Sequence, residues 1–297
     1  MPKLFKNNHE VPRLLLKNWD DGSERRPGVW VFDIEEQRVY RSHGTGQRAF
    51  SFAILPDLYV PEVSGTRFVE AEGWFGRSEA SLAKFLRRLR SRRLKEGVPP
   101  EELVSIVFGI ASLGLRGGYQ VRAIEEALLD PAWQEMFGVP IPDRAEAHRR
   151  AVENCVNAIA KRVLDLMFPR IEILTDLEED LLLCDRPTLD LEDDHEISMP
   201  LGPRTIALIR RGHPRDVTIA LNRPRAGSAD FVATCNSLTC QRARRWVVGS
   251  SRAQIEGFVD QLTAAAVAHR AAKDRLRFKP QETPPQLWWA FSREGQR

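Results

Sequence analysis

The chain has 297 residues, 42% of them hydrophobic, which is enough for one large core or two modest ones and excludes a wholly disordered protein. Its 44 Lys and Arg nearly balance 41 Asp and Glu, leaving a formal charge of +3, so any nucleic-acid footprint must be a local patch. No stretch of about 18 apolar residues runs without charges and the N-terminus lacks the apolar core of a signal peptide, so no membrane span and a cytosolic, cytoplasmic location are expected. Cys155, Cys184, Cys235 and Cys240 follow no zinc-binding spacing and read as reduced, buried thiols.

In chain order, "GVWVFDIEEQRVY" predicts a β-hairpin over 28–41, two β-prone runs around an acidic turn. The stretch to Thr66 is rich in Gly and Pro and reads as loop with at most a short strand or helical turn. From about Arg67 the period becomes helical: Leu82, Phe85, Leu86 and Leu89 share a face, while Lys84, Arg87, Arg88, Arg90, Arg92 and Arg93 crowd the others. Gly97, Pro99 and Pro100 stop this basic helix. The next, Glu101 to about Leu115, is apolar nearly all round (Leu103, Val104, Ile106, Val107, Ile110), which predicts central burial, and Arg116, Gly117 and Gly118 end it.

"DRAE" at Asp143 offers a capping box, with Asp143 accepting a free amide and Glu146 reaching back. The stripe of Val152, Cys155, Val156, Ile159, Val163, Leu166 and Met167 carries that helix to Pro169. "RIEIL", "DLLLC", "EISM" and "TIALIRR" then read as strands, 228–244 as helix, "RWVVGS" as strand, and Arg252 to about Arg277 as one last helix. The fold class expected is α+β in a single domain over 1–279: an N-terminal β-hairpin, a central helical bundle over 67–168, and a C-terminal mixed or antiparallel sheet with flanking helices over 169–279. Residues 280–297 read as a Pro-containing polar tail, whose Trp288 and Trp289 would pack on the body or meet a partner.

Several of these blocks, in this order and spacing, resemble a bacterial family known as domain of unknown function 4238. "NHEVPRLLLKNW" is similar to its His-x-x-Pro opening, "VWVFDIEEQRV" to the following hairpin, and "RFVEAEGWFGRSEASLAKFLRRL" to its Glu-bearing helices. "EEDLLLCDRPTLDL" resembles its strand ending in Ser-Asp-Asn-Pro, "ISMPLGPRTIALIRR" its Pro-Leu-Ser-Pro strand, and "CNSLTCQRARRWVVGS" its Asn-bearing helix and strand. Cys184 and Arg186 stand where the family usually has Ser and often has Asn, so a serine hydroxyl is not carried over. The resemblance implies architecture and candidate positions, without a reaction.

Asp185 is the first of those positions. It ends an apolar strand and the Pro at 187 biases Arg186 toward extended backbone, so its carboxylate could coordinate Mg²⁺, orient a histidine, or accept backbone amides in a turn. His9, in an extended or turning segment before Pro12, could act as base or ligand, or pin the N-terminal arm by a hydrogen bond. Arg116 could pair internally with Glu70, Glu72 or Glu79, or anchor a phosphate or carboxylate. Asn236 could hold a loop or face a ligand.

The acidic run Asp190, Glu192, Asp193, Asp194, His195, Glu196 fails as a calcium loop, because its sixth position is His195 and its twelfth Leu201. It reads as a solvated connection. No lysine between Leu181 and Arg211 completes a two-carboxylate nuclease motif, and Gly-x-x-x-x-Gly-Lys, His-Glu-x-x-His and Gly-x-Ser-x-Gly are missing.

The function expected is an enzyme acting on a phosphate-containing substrate, a nuclease-like protein linked to defence against foreign DNA. His9 and Asp185 would be catalytic and Arg116, Asn236, Arg87, Arg88 and Arg92 would bind substrate; the sequence names no cofactor, with Mg²⁺ or Mn²⁺ the candidates if a metal takes part. Nucleic acid would lie along the basic helix 84–95. The competing expectation is a non-catalytic binding or sensor module in which the same polar residues form a buried network and the basic helix meets an acidic protein partner.

Overall fold

The computed structural model describes residues 7–22, 27–44, 50–91, 100–132, 135, 138, 140–166, 168–189, 197–212, 218–222 and 228–275. The chain opens with strand β1 (Asn7–His9), a single turn α1 (Arg13–Leu16) and a 3₁₀ turn (Lys17–Trp19). The hairpin follows as β2 (Gly28–Asp33) and β3 (Arg38–His43). Three short strands, β4 (Ile54–Pro56), β5 (Glu62–Val63) and β6 (Thr66–Arg67), lead into helices α2 (Glu70–Arg90), α3 (Pro100–Leu115), α4 (Gly118–Leu129) and α5 (Arg144–Asp165). The C-terminal part comprises β7 (Pro169–Thr175), β8 (Leu183–Cys184), β9 (Ile197–Gly202), β10 (Thr205–Arg211), β11 (Thr218–Asn222), α6 (Ser228–Arg242), β12 (Trp246–Gly249), α7 (Arg252–Glu256) and α8 (Val259–Arg275).

Two four-stranded sheets organise the α+β fold: β11-β7-β10-β9, mixed because β11 runs parallel to β7, and the antiparallel β3-β2-β12-β8. Strand alternation sends their residues to different layers. Val29, Val31, Leu183, Trp246 and Val248 join Ile171, Ile173, Ala207 and Ile209 of the other sheet in one core, together with Leu82, Phe85 and Leu86 of α2 and Ile106 and Ile110 of α3. Phe32, Cys184 and Val247 turn the opposite way, against Cys240, Ile255 and Leu262 of α6, α7 and α8. Ile206 and Leu208 face Val232 and Cys235 of α6. A fourth core joins α4 and α5 through Val121, Ala151 and Ile159 to Tyr59 and Phe75.

The N-terminal arm enters the main core. Leu15, Leu16 and Trp19 are fully buried, and the Trp19 indole donates to the Leu181 carbonyl at 2.8 Å. This arm thus touches the segment that leads into Asp185.

The expected hairpin is present and forms half of a sheet completed by β12 and β8. Four expectations change. Gly117 and Gly118 do not merely end α3, because α4 begins at Gly118. Val104 is half exposed, so α3 is not buried all round. The last helix breaks at Gly257 into α7 and α8. Asp143 caps α5 by accepting the Glu146 amide at 2.8 Å, but the Glu146 carboxylate binds Arg149 and Arg150 instead of reaching back, and the Arg149 hydrogen bond above all lowers it to about 2. Strand β11 carried too short an apolar run to stand out. Among the described residues no helix is long and apolar enough to cross a membrane; the tail 280–297, with Trp288 and Trp289, lies outside them.

Candidate functional site

Four segments distant in sequence meet around Asp185. β1 pairs with β4 in register His9 to Ile54, and the Glu10 amide extends the ladder to the Ala53 carbonyl at 3.0 Å. Alternation along this extended stretch puts Asn8 and Glu10 on one face and His9 on the other. Asn8 donates to Glu72 at 2.7 Å and accepts the Tyr59 amide at 3.3 Å. Glu10, 1% exposed, accepts the Gly118 amide at 2.8 Å on one oxygen and the Arg245 guanidinium on the other.

Gly118 is glycine for a steric reason. A Cβ there would lie 2.6 Å from the same Glu10 oxygen and 2.2 Å from Leu55 Cδ1, so any side chain would displace Glu10.

Asp185 is likewise 1% exposed and accepts the Arg244 amide on Oδ1 at 3.0 Å. It therefore does take a backbone amide, but from the joint between α6 and β12 and not from its own turn. Its Oδ2 is buried with no hydrogen-bond partner among the described residues. Burial raises its carboxyl above the usual range, against the opposing pull of the Arg244 and Arg245 amides and the Arg245 and Arg186 charges.

Glu10 and Asp185 act on each other. Burial, then the Asp185 charge, raises Glu10 to about 7, although Arg245 and the Gly118 amide both favour its ionised form. The two buried carboxyls and the half-buried Arg245 form one ionic centre.

Arg116 lies in a neighbouring buried compartment. It is wholly buried, bonds Glu79, and has the Phe75 and Tyr59 rings at 5.0 and 5.6 Å from its guanidinium carbon. Its carbonyl accepts the Tyr59 hydroxyl at 2.9 Å. Of the three acids weighed for it, Glu79 is the partner. Burial works most strongly against its charge, but Glu79, Tyr59 and Glu72 together raise its pKa. Asn236 closes a different joint: 2% exposed, it accepts the Leu182 amide at 2.7 Å and donates to the Asp180 carbonyl at 3.0 Å, holding the strand that ends in Asp185. Asn236 thus serves internal bonds, whereas Arg116 bonds Glu79 through Nη2 while its Nε and Nη1 are buried with no hydrogen-bond partner among the described residues.

His9 is half-buried. The basic helix is partly neutralised, since Glu102 pairs with Arg88 at 3.1 Å and Lys84 at 3.5 Å, while Arg87 is exposed. Arg92 and Arg93, like the acidic run 190–196, lie outside the described residues. A cleft of about 320 Å³ between α1 and α2 is lined by Pro12, Arg13, Leu15, Glu79 and Leu86, and by none of His9, Asp185, Arg116 or Asn236.

Above the ionic centre stands a cationic rim. Tyr119, in the first turn of α4, has the Arg244 and Arg186 guanidinium carbons 5.0 and 5.4 Å from its ring centroid. Burial first, then Arg242 and Arg244, lower the pKa of Arg186. His269 of α8 bonds the Gln241 carbonyl at 2.9 Å, and burial followed by Arg244 and Arg186 lowers it to about 4.

Sequence reasoning did not single out Glu10, Arg244, Arg245 or Tyr119. The one local signal is the "ARRW" that joins a helix to a buried strand; Glu10 is one of several polar residues in the arm.

The donor set does not fit a divalent ion. Among the described residues no group of three His, Cys, Asp or Glu side chains is placed to hold one. Glu10 spends its oxygens on an amide and a guanidinium, and Arg245 supplies the positive charge that a metal would bring.

No curated protein and no solved structure matches this chain. One family does, described as "Protein of unknown function (DUF4238)", and it matches residues 7–253. That span runs from the arm bearing His9 and Glu10, through Asp185, to the Arg244–Arg245 joint and the end of β12. With well over half of its length covered, the chain belongs to the DUF4238 family.

Proposed function

We propose that this protein is a non-catalytic binding or sensor module for a phosphate-bearing ligand, with nucleic acid as the ligand class. The observation that carries this reading is the internal use of its buried polar groups. Arg116, Asp185 and Asn236 are each bonded to a charge or backbone group of another segment, and the cleft between α1 and α2 does not reach them. Arg186 and Arg244 are half-buried beside Asp185, and Arg87 on α2 is exposed, so each can offer a positive charge to a ligand. Four free cysteines suit a reducing compartment such as the cytosol.

A second reading, nuclease-type hydrolysis with a place in defence against foreign DNA, is favoured by one observation. Glu10 titrates near neutrality beside Asp185, whose Oδ2 is unpartnered, and such a pair can hold and release a proton. The two readings part on turnover. Labelled single- and double-stranded nucleic acids are incubated with the protein and Mg²⁺ or Mn²⁺, alongside His9→Ala and Asp185→Ala. Binding that weakens with salt, without cleavage, supports the module. Cleavage lost in either folded variant refutes it.

A further inference from the structure

We infer that Arg186 and Arg244, held against the ring of Tyr119, form a two-pronged anion site that takes a phosphate group. The inference deepens the binding-module reading and rests on it for the ligand class, but it concerns these residues alone. Three rigid segments build the site. Tyr119 belongs to the first turn of α4, Arg186 follows Asp185 at the end of β8, and Arg244 lies in the joint between α6 and β12. The Asp185 bond to the Arg244 amide fixes two of these segments to each other.

Among the described residues, burial and the Arg242 and Arg244 charges outweigh Asp185 at Arg186. Like charges brought together repel, and Arg242 adds a third guanidinium to the field at Arg186. The Arg244 guanidinium donates to the Gln241 carbonyl at 3.3 Å. Arg186 makes no ion pair with a carboxylate among the described residues, and its contact is the Tyr119 face. Asp185, next in the chain, acts on Arg186 by charge but bonds the Arg244 amide, and Glu10 holds Arg245.

The π face of Tyr119 compensates part of this repulsion and sets the orientation of both guanidiniums. A phosphate between them would accept hydrogen bonds from each and cancel the repulsion, which is the geometry arginine suits better than lysine. Arg186, Arg244 and Tyr119 are all half-buried, so the site is open on one side while its prongs are shielded from full solvation.

His269 provides a local reporter, because Arg244 and Arg186 both depress it while its ring bonds the Gln241 carbonyl. Three probes separate the sources of the phosphate: inorganic phosphate, adenosine monophosphate, and a single-stranded oligonucleotide without terminal phosphates. Binding is followed by calorimetry, and His269 by NMR across pH.

A bound anion should raise the His269 pKa by about one unit or more. Arg186→Gln and Arg244→Gln should each weaken binding about tenfold, the loss of one charged hydrogen-bond donor. Arg186→Lys, which keeps the charge and perturbs the fold least, should weaken binding several-fold through loss of the fork. Phosphate or nucleotide binding without oligonucleotide binding supports the site and overturns the nucleic-acid reading. Affinity indifferent to the arginine substitutions, a His269 titration unmoved by saturating phosphate, or no binding of any probe overturns the site.

Discussion

Glu10 and Asp185, separated by most of the chain, share one ionic centre, and the charge of Asp185 helps to raise Glu10 to about 7. The unfolded chain loses the Glu10 proton near 4.5 and the folded chain near 7. Between those values the folded state holds more protons, so this group makes stability fall as pH rises. His269, lowered to about 4, acts oppositely below its ordinary 6.5, so the contribution of Glu10 is read by difference. Thermal melts from pH 5 to 8 should show wild type losing stability relative to Glu10→Gln, whose profile should be flatter; parallel profiles would contradict the raised carboxyl.

Asp185 ties the end of β8 to the joint after α6, so the acceptor matters more than the charge. Asp185→Asn retains an oxygen for the Arg244 amide, whereas Asp185→Ala leaves that amide unpaired at about 1–3 kcal/mol. Urea unfolding should rank wild type and Asn close together and Ala well below.

The Arg116–Glu79 pair is asymmetric, with Arg116 wholly buried and Glu79 part-exposed. Removing Glu79 strands a buried cation and should cost about 3 kcal/mol. The double change Arg116→Met with Glu79→Gln removes the charge as well and should recover much of that loss in the same unfolding measurement.

Gly118→Ala tests the packing of α4 on the arm. The new methyl would meet Glu10 and Leu55, and overpacking of this kind costs about 1–3 kcal/mol. The same variant should shift the Glu10 titration, because its amide bond is displaced with it.

The basic helix and the Tyr119 rim make different predictions for salt. Arg88 already pairs with Glu102, so removing Arg87 and Arg88 should alter the salt slope of nucleic-acid binding less than removing Arg186 and Arg244.

Much of the fold was legible because local patterns were strong. The hairpin, the stripe of α5 with its Asp143 cap, and the strands β7, β9 and β10 each carry their own periodicity or punctuation. What was illegible depended on distant partners. Gly117 and Gly118 look like a helix end, and only the carboxylate of Glu10, 108 residues away, shows why α4 starts there.

The site followed the same division. Asp185 stands out at the end of an apolar run before a proline. Glu10 has nothing in its neighbourhood to distinguish it from other polar residues of the arm, since its second partner, Arg245, lies 235 residues on. Arg116 and Asn236 stand out in the sequence as polar positions; their partners, Glu79 and the backbone about Asp180 and Leu182, give them work inside the fold.

The most direct test of a binding role is a single assay on wild-type protein that reads fluorescence anisotropy and strand integrity together, with single-stranded nucleic acid in Mg²⁺ and in Mn²⁺. The module predicts saturable, salt-sensitive binding with the strand intact after prolonged incubation. Multiple-turnover cleavage that disappears in folded Asp185→Asn or Glu10→Gln would contradict it and place the carboxyl pair in a catalytic centre.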